Sequence, residues 1–273
     1  VVFSQKPVAL ERQTLTSHFL RLALAVSLAG IASGRTIGPD AFGYFATDGT
    51  ISYTSIIGAG GTLIPDSNAD DAIFLTTLPF PIVFYGTTYG AGSQISLSTN
   101  GNVQFRSFAA NPTLTNRALN DPLVNFTAPT IFGYWDDLVY TTAPGAGIYT
   151  QTQVVGPTRT FVVEWLGRRF ADGASTPTIQ FQVVFQEGST DISVRYAQTG
   201  IGNALNGVGA TTGIRLDQST NLQWSHDEGV LSPGLEVRYT LDNPSNDAVP
   251  EPASVVSVVG GLALVALTRL RKA

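Results

Sequence analysis

The chain is predicted to be all-β, a single antiparallel β-sandwich of about ten to fourteen strands. Three observations carry that expectation. Apolar side chains recur at every second residue through the middle of the chain, which is the period of a strand and not of a helix. Glycine, proline, serine, threonine and asparagine fill the joints between these runs. No convincing amphipathic helix separates them.

The strands follow in order. "ISLSTNGNVQFR" reads as two strands about Asn100-Gly101, the strongest short hairpin signal a sequence offers. "RTFVVEWLG" sets Phe161, Val163 and Trp165 on one side and Glu164 on the other; Trp135 and Trp165 are assigned to the core. In "PTIQFQVVFQEG", Ile179, Phe181, Val183 and Phe185 point inward, while Thr178, Gln180, Gln182 and Gln186 form a polar outer face. "EGSTD" turns the chain, and "ISVRY" alternates again through Ile192, Val194 and Tyr196. "TTGIRLD", "NLQWS" and "LEVRYTL" supply three more strands. No internal repeat shows, which argues against a propeller or solenoid.

Composition bounds the function. Cysteine is absent, so the domain forgoes disulfides and is expected to fold on its own core without metal or cofactor. Residues 34–249 hold nine arginines, no lysine and eighteen acids, a net charge of about −9 that disfavours nucleic acid as a partner. That stretch is long enough for one sizeable core.

The ends read as targeting signals. Arg12 and Arg21 precede an apolar run from Leu22 to Leu28, and small residues follow at Ala29, Gly30, Ala32 and Ser33, as signal peptidase requires. Residues 1–33 are therefore expected to be a signal peptide with a long n-region, 34–241 the sandwich and 242–249 a polar linker. Residues 250–273 form a sorting segment. There, Pro250-Glu251-Pro252 is followed by an uncharged run from Ala253 to Leu267 and by Arg269, Arg271 and Lys272. Fifteen helical residues reach about 22 Å, short of the ~30 Å hydrocarbon core, so this is a marginal span; the basic end is expected to stay cytoplasmic. An ordinary tail anchor is the alternative.

"VPEPAS", the weak span and "RLRK" resemble the PEP-CTERM sorting signal of Gram-negative bacteria. The resemblance implies transient anchoring in the inner membrane, cleavage near the triplet by an exosortase, and delivery to the cell surface or extracellular matrix. The terminal basic run of the family is usually denser in arginine. Across the middle, "LPFPIVFYG", "SLSTNGNVQF", "APTIFGYWDDL", "FVVEW" and "FQVVFQEGSTDISVRY" come in an order similar to the nidogen-type extracellular domain. That likeness implies matrix contact and brings no catalytic residues with it.

Candidate chemical residues are few. Ser225, His226 and Asp227 are consecutive, which in an extended segment sends neighbours to opposite faces and not into a triad. Asp136 and Asp137 would likewise diverge, so one alone could face a cleft, where a glycosidase needs two facing carboxylates. "DSNADD" spaces Asp66, Asn68 and Asp70 like the opening of an EF-hand loop, yet Asp71 stands where that loop needs glycine and Thr77 where it needs glutamate. Tyr85, Tyr89, Tyr140 and Asp136 are candidate ligand contacts, the tyrosines by stacking on sugars. The expectation is a non-enzymatic exported protein of the cell surface or biofilm matrix. The alternatives are a polysaccharide-binding module or, third, a secreted hydrolase.

Overall fold

The computed structural model describes residues 34–106, 113–141 and 144–241; the expected signal peptide, linker and sorting segment lie outside the described residues. No helix among the described residues is long and apolar enough to cross a membrane.

In chain order the strands begin with β1 (Thr36–Ile37), β2 (Phe45–Thr50), β3 (Thr62–Leu63), β4 (Ile73–Thr77), β5 (Ile82–Phe84) and β6 (Thr87–Tyr89). Next come β7 (Gln94–Ser98), β8 (Asn102–Gln104), β9 (Thr130–Trp135), β10 (Leu138–Val139), β11 (Gly147–Val155) and β12 (Thr158–Arg169). The last are β13 (Ile179–Gln186), β14 (Ile192–Thr199), β15 (Thr211–Arg215), β16 (Asn221–His226) and β17 (Leu235–Thr240). The strands beyond the expected number are mainly β1, β3, β5, β6 and β10, which at two or three residues are too short to display a period.

Two sheets form the sandwich. One runs β1-β2-β17-β14-β13-β12-β11-β3, with β10 also pairing β12; the other runs β16-β15-β9-β8-β7-β4. The β5–β6 hairpin forms a separate two-stranded sheet whose Ile82 and Phe84 join the main core. All pairings are antiparallel, and the Asn100-Gly101 hairpin joins β7 to β8 as the sequence predicts.

The inward residues of β12, β13 and β14 meet those of β7, β8 and β9 in one core. Phe181 stacks on Trp165 with ring centres 4.9 Å apart and planes 7° apart. The polar tips of core aromatics reach the facing backbone, because a buried donor must find an acceptor. Trp165 Nε1 donates to the Ser98 carbonyl at 2.9 Å, Tyr140 OH to that of Thr99 at 2.8 Å, and Tyr196 OH to that of Gly133 at 2.8 Å. At Gly133 the absence of a side chain is what lets the sheets close, since a Cβ there would lie 2.4 Å from the Phe181 ring.

Both outer faces are partly roofed by irregular chain. Leu119, Val124 and Phe126 cover Phe132 and Trp135 on the six-stranded sheet, so Trp135 is buried as expected but in a separate small core. Arg215 ties that roof down by donating to the carbonyls of Leu119, Phe126 and Val124 at 3.0, 2.9 and 3.1 Å. On the nine-stranded sheet, Ile56 packs on Val162 and Val184. This corrects the expected polar outer face: Glu164 and Gln182 are buried, at 0% and 2% exposure. Glu164 accepts from Ser55 Oγ, Ile56 N, Gln180 Nε2 and Gln182 Nε2 at 2.7, 2.8, 2.6 and 2.9 Å. A polar position on a strand period is here the anchor of a strap and not a solvated face.

Candidate functional site

The turn between β7 and β8 organises one end of the sandwich. Gly101 has φ +74°, and a Cβ there would lie 1.9 Å from the Tyr134 carbonyl, so a side chain is excluded. Its own carbonyl accepts from Gly133 N and Tyr134 N at 3.0 and 3.1 Å. Asn100 then bridges two loops: Nδ2 donates to Asp71 Oδ1 at 2.8 Å, and Oδ1 accepts from Leu138 N at 2.9 Å. "DSNADD", "STNG" and "WDDL", far apart in sequence, thus meet at one corner.

That corner gathers Asp70, Asp71 and Asp137, each with a carboxylate oxygen within 4.8 Å of the others. Burial and then the neighbouring Asp71 raise the Asp70 carboxyl above its usual range; burial, then Asp71 and Asp70, raise that of Asp137. The three could supply part of the oxygen shell of a hard cation such as Ca²⁺, which takes six to eight such ligands. Of the weak candidates Asp66, Asn68 and Asp70, in the loop that fails as an EF-hand, Asp70 alone joins the cluster. Asp71 occupies a positive φ of 46° in the bend two residues before β4, and Asp137 comes from the far side of the Asn100 bridge. An EF-hand spacing rule does not look for ligands on two separate loops.

Asp136 points away from the cluster, as its divergence from Asp137 predicts. It is buried, accepts from Asp137 N at 2.8 Å and pairs with Arg169 Nε. Burial pushes its carboxyl up to about 6, against the pull of Arg169. A carboxyl held above its ordinary value in the folded state stabilises the fold while protonated and loses that contribution as pH rises. Wild-type stability should therefore lose this contribution between about pH 4 and 6, and Asp136→Asn should flatten that part of a melting-temperature profile. A mutant profile parallel to wild type would contradict this.

The tyrosine candidates form no exposed stacking row. Tyr85 is 5% exposed, donates to Asp40 Oδ2 at 2.9 Å and packs edge-on against Tyr44. Burial, with Asp40 beside it, holds its phenol far above the ordinary range. Tyr140 is buried across the sheets, and Tyr89 is half-buried with its ring 4.6 Å from that of Phe105. Aromatic residues near strand ends had looked available because the sequence does not show the β5–β6 hairpin folding back onto the core.

His226 acquires neighbours that the sequence did not indicate. Its Nδ1 lies 2.8 Å from Thr211 Oγ1, and its Nε2 lies 3.5 Å from Asp227 Oδ2. Thr211 Oγ1 already gives its one proton to the Arg117 carbonyl at 2.9 Å, so Nδ1 must be the donor to it. Asn116 Nδ2 also donates to Thr211 Oγ1, at 3.2 Å. Thr211 is fully buried, and its hydroxyl holds the 113–128 roof through the Arg117 carbonyl.

The outer face of the nine-stranded sheet carries a polar groove lined by Gln153, Gln186, Asp191, Arg195, Glu236 and Arg238. Arg195 pairs with Glu236 at 2.7 Å and Arg238 with Asp191 at 2.5 Å. At the neighbouring hairpin, Arg159 holds Glu187 through two bonds of 2.8 and 2.5 Å.

Compared with known proteins, the chain matches one family model, described as NIDO related, over residues 43–250. None of the curated proteins and none of the solved structures matches it.

Proposed function

The chain belongs to the NIDO-related family, and on that premise we propose that it is a non-enzymatic protein exported to the cell surface or biofilm matrix of a Gram-negative bacterium. Signal peptidase removes the N-terminal segment, the C-terminal segment anchors transiently in the inner membrane, and an exosortase releases the sandwich near Pro250-Glu251-Pro252. The observation that carries this reading is the order of parts in the tail, a short polar triplet, a marginal apolar run and a basic end, behind an export signal and a cysteine-free domain. A matrix role draws support from the way chemically capable side chains are spent. Glu164, Asp136 and Thr211 each hold a loop onto a sheet.

Its matrix partner is an extracellular polysaccharide or protein. The polysaccharide reading finds its best support in the polar groove, whose amides, carboxylates and guanidinium groups are the donors and acceptors that sugar hydroxyls use.

Replacing Pro250-Glu251-Pro252 with three alanines tests the sorting step. The apolar run and the basic end are untouched, so insertion should persist. In a host carrying an exosortase, the variant should accumulate uncleaved in the inner membrane while the wild type leaves it. Equal release of the two would leave an ordinary tail anchor.

A further inference from the structure

We propose that β4, the outer edge of the six-stranded sheet, pairs with β4 of a second copy of this chain. The pairing is antiparallel and centred on Leu75, and it joins two sandwiches through one continuous sheet.

The edge is built to accept a strand. β4 pairs with β7 in unbroken register from Ile73 opposite Ser98 to Thr77 opposite Gln94. Thr99 N donates to the Ala72 carbonyl at 3.0 Å and Leu78 N to that of Ser93 at 2.9 Å, so the even-numbered residues face β7. Ile73, Leu75 and Thr77 therefore direct N–H and C=O off the sheet, where no described strand pairs with them.

Proteins blunt such edges with short strands, charges, proline, bulges or cover. The other described edges carry these devices. β1 and β3 are two residues each. The ladder of β16 is interrupted by a register shift, and the Arg35 guanidinium lies over its Trp224 ring at 4.5 Å. Among the described residues β4 carries none: it reads "IFLTT", and Leu75 is 42% exposed.

Charge permits a second copy as the occupant and sets its direction. Asp70 and Asp71 precede the strand, and the stretch from Ala72 to Pro81 is uncharged. With Leu75 opposite its own counterpart, Ile73 faces Thr77 of the second copy and Asp71 faces Pro79. The two acid pairs then stand about 26 Å apart at ~3.3 Å per residue, well beyond the ~8 Å screening length of physiological salt. Parallel pairing would set acid against acid. Antiparallel self-pairing also closes on itself, consuming both free edges in a two-fold arrangement that cannot grow into a fibre through this strand.

The absence of cysteine makes the test direct, because any introduced thiol is unique. Directly opposed residues in an antiparallel ladder have Cα atoms about 5.5 Å apart, within disulfide reach. Under mild oxidation the full chain with Leu75→Cys should form a disulfide dimer. Ile73→Cys or Thr77→Cys should not do so alone, but a mixture of the two should cross-link. Sedimentation should give the unsubstituted chain twice the mass of a single copy, and Leu75→Lys should lose that doubling. A single-copy mass for the unsubstituted chain, or equal cross-linking at all three positions, would overturn the proposal.

Discussion

Phe181→Ala is expected to lower the unfolding free energy by about 3–5 kcal/mol, the cost of emptying an aromatic site that its surroundings cannot fill by collapse. Collapse is blocked here from two sides. The Trp165 ring lies flat on Phe181, held by its own bond to the Ser98 carbonyl, and the opposite sheet approaches only as far as the Gly133 backbone allows. Tyr196, whose ring is 6.4 Å away, is likewise held by its bond to Gly133. Denaturant unfolding should show a lower midpoint with an unchanged slope. Phe170→Ala is the control: that ring is 58% exposed, and its loss should stay within about 0.5 kcal/mol. An effect of Phe181→Ala below about 1 kcal/mol would mean that the two sheets are not locked through this stack.

Glu164→Ala should cost a comparable amount, about 3–5 kcal/mol, by a different mechanism. The buried carboxylate accepts from Ser55 Oγ, the Ile56 amide and the side chains of Gln180 and Gln182, all neutral donors. Removing it leaves buried donors without an acceptor, and an orphaned buried donor costs about 1–3 kcal/mol. The strap through Ile56 should then detach from Val162 and Val184, and the Ile56 amide should lose its protection from hydrogen exchange. Glu164→Gln keeps one acceptor oxygen but turns an NH₂ toward other donors, so it should fall between wild type and alanine. A Glu164→Ala protein as stable as wild type, with the Ile56 amide still protected, would contradict the latch.

The strands were legible in the sequence and their covers were not. Phe181, Trp165, Val194 and Tyr196 announced themselves by period, and Asn100-Gly101 by turn chemistry, because each of those signals is local. The roofs over Trp135 and Glu164 come from segments with no period, 113–128 and 51–61, whose positions depend on distant partners such as Arg215 and Gln182. For that reason the sequence placed Glu164 opposite the core residues of its strand without showing what covers it. The acidic corner was half legible. Both acid pairs were visible, but Asp71 and Asp137 are brought together by the Asn100 side chain and by a backbone bridge from Asp70 to Val139, links between loops that no spacing encodes.

The mass of the mature protein recovered from its native cells would decide whether the chain is exported and cut at both ends as proposed. The expected mass is that of a chain beginning near Gly34 and ending near Pro250-Glu251-Pro252, without Arg269, Arg271 and Lys272. A mature protein still carrying the apolar run and its basic end would contradict it.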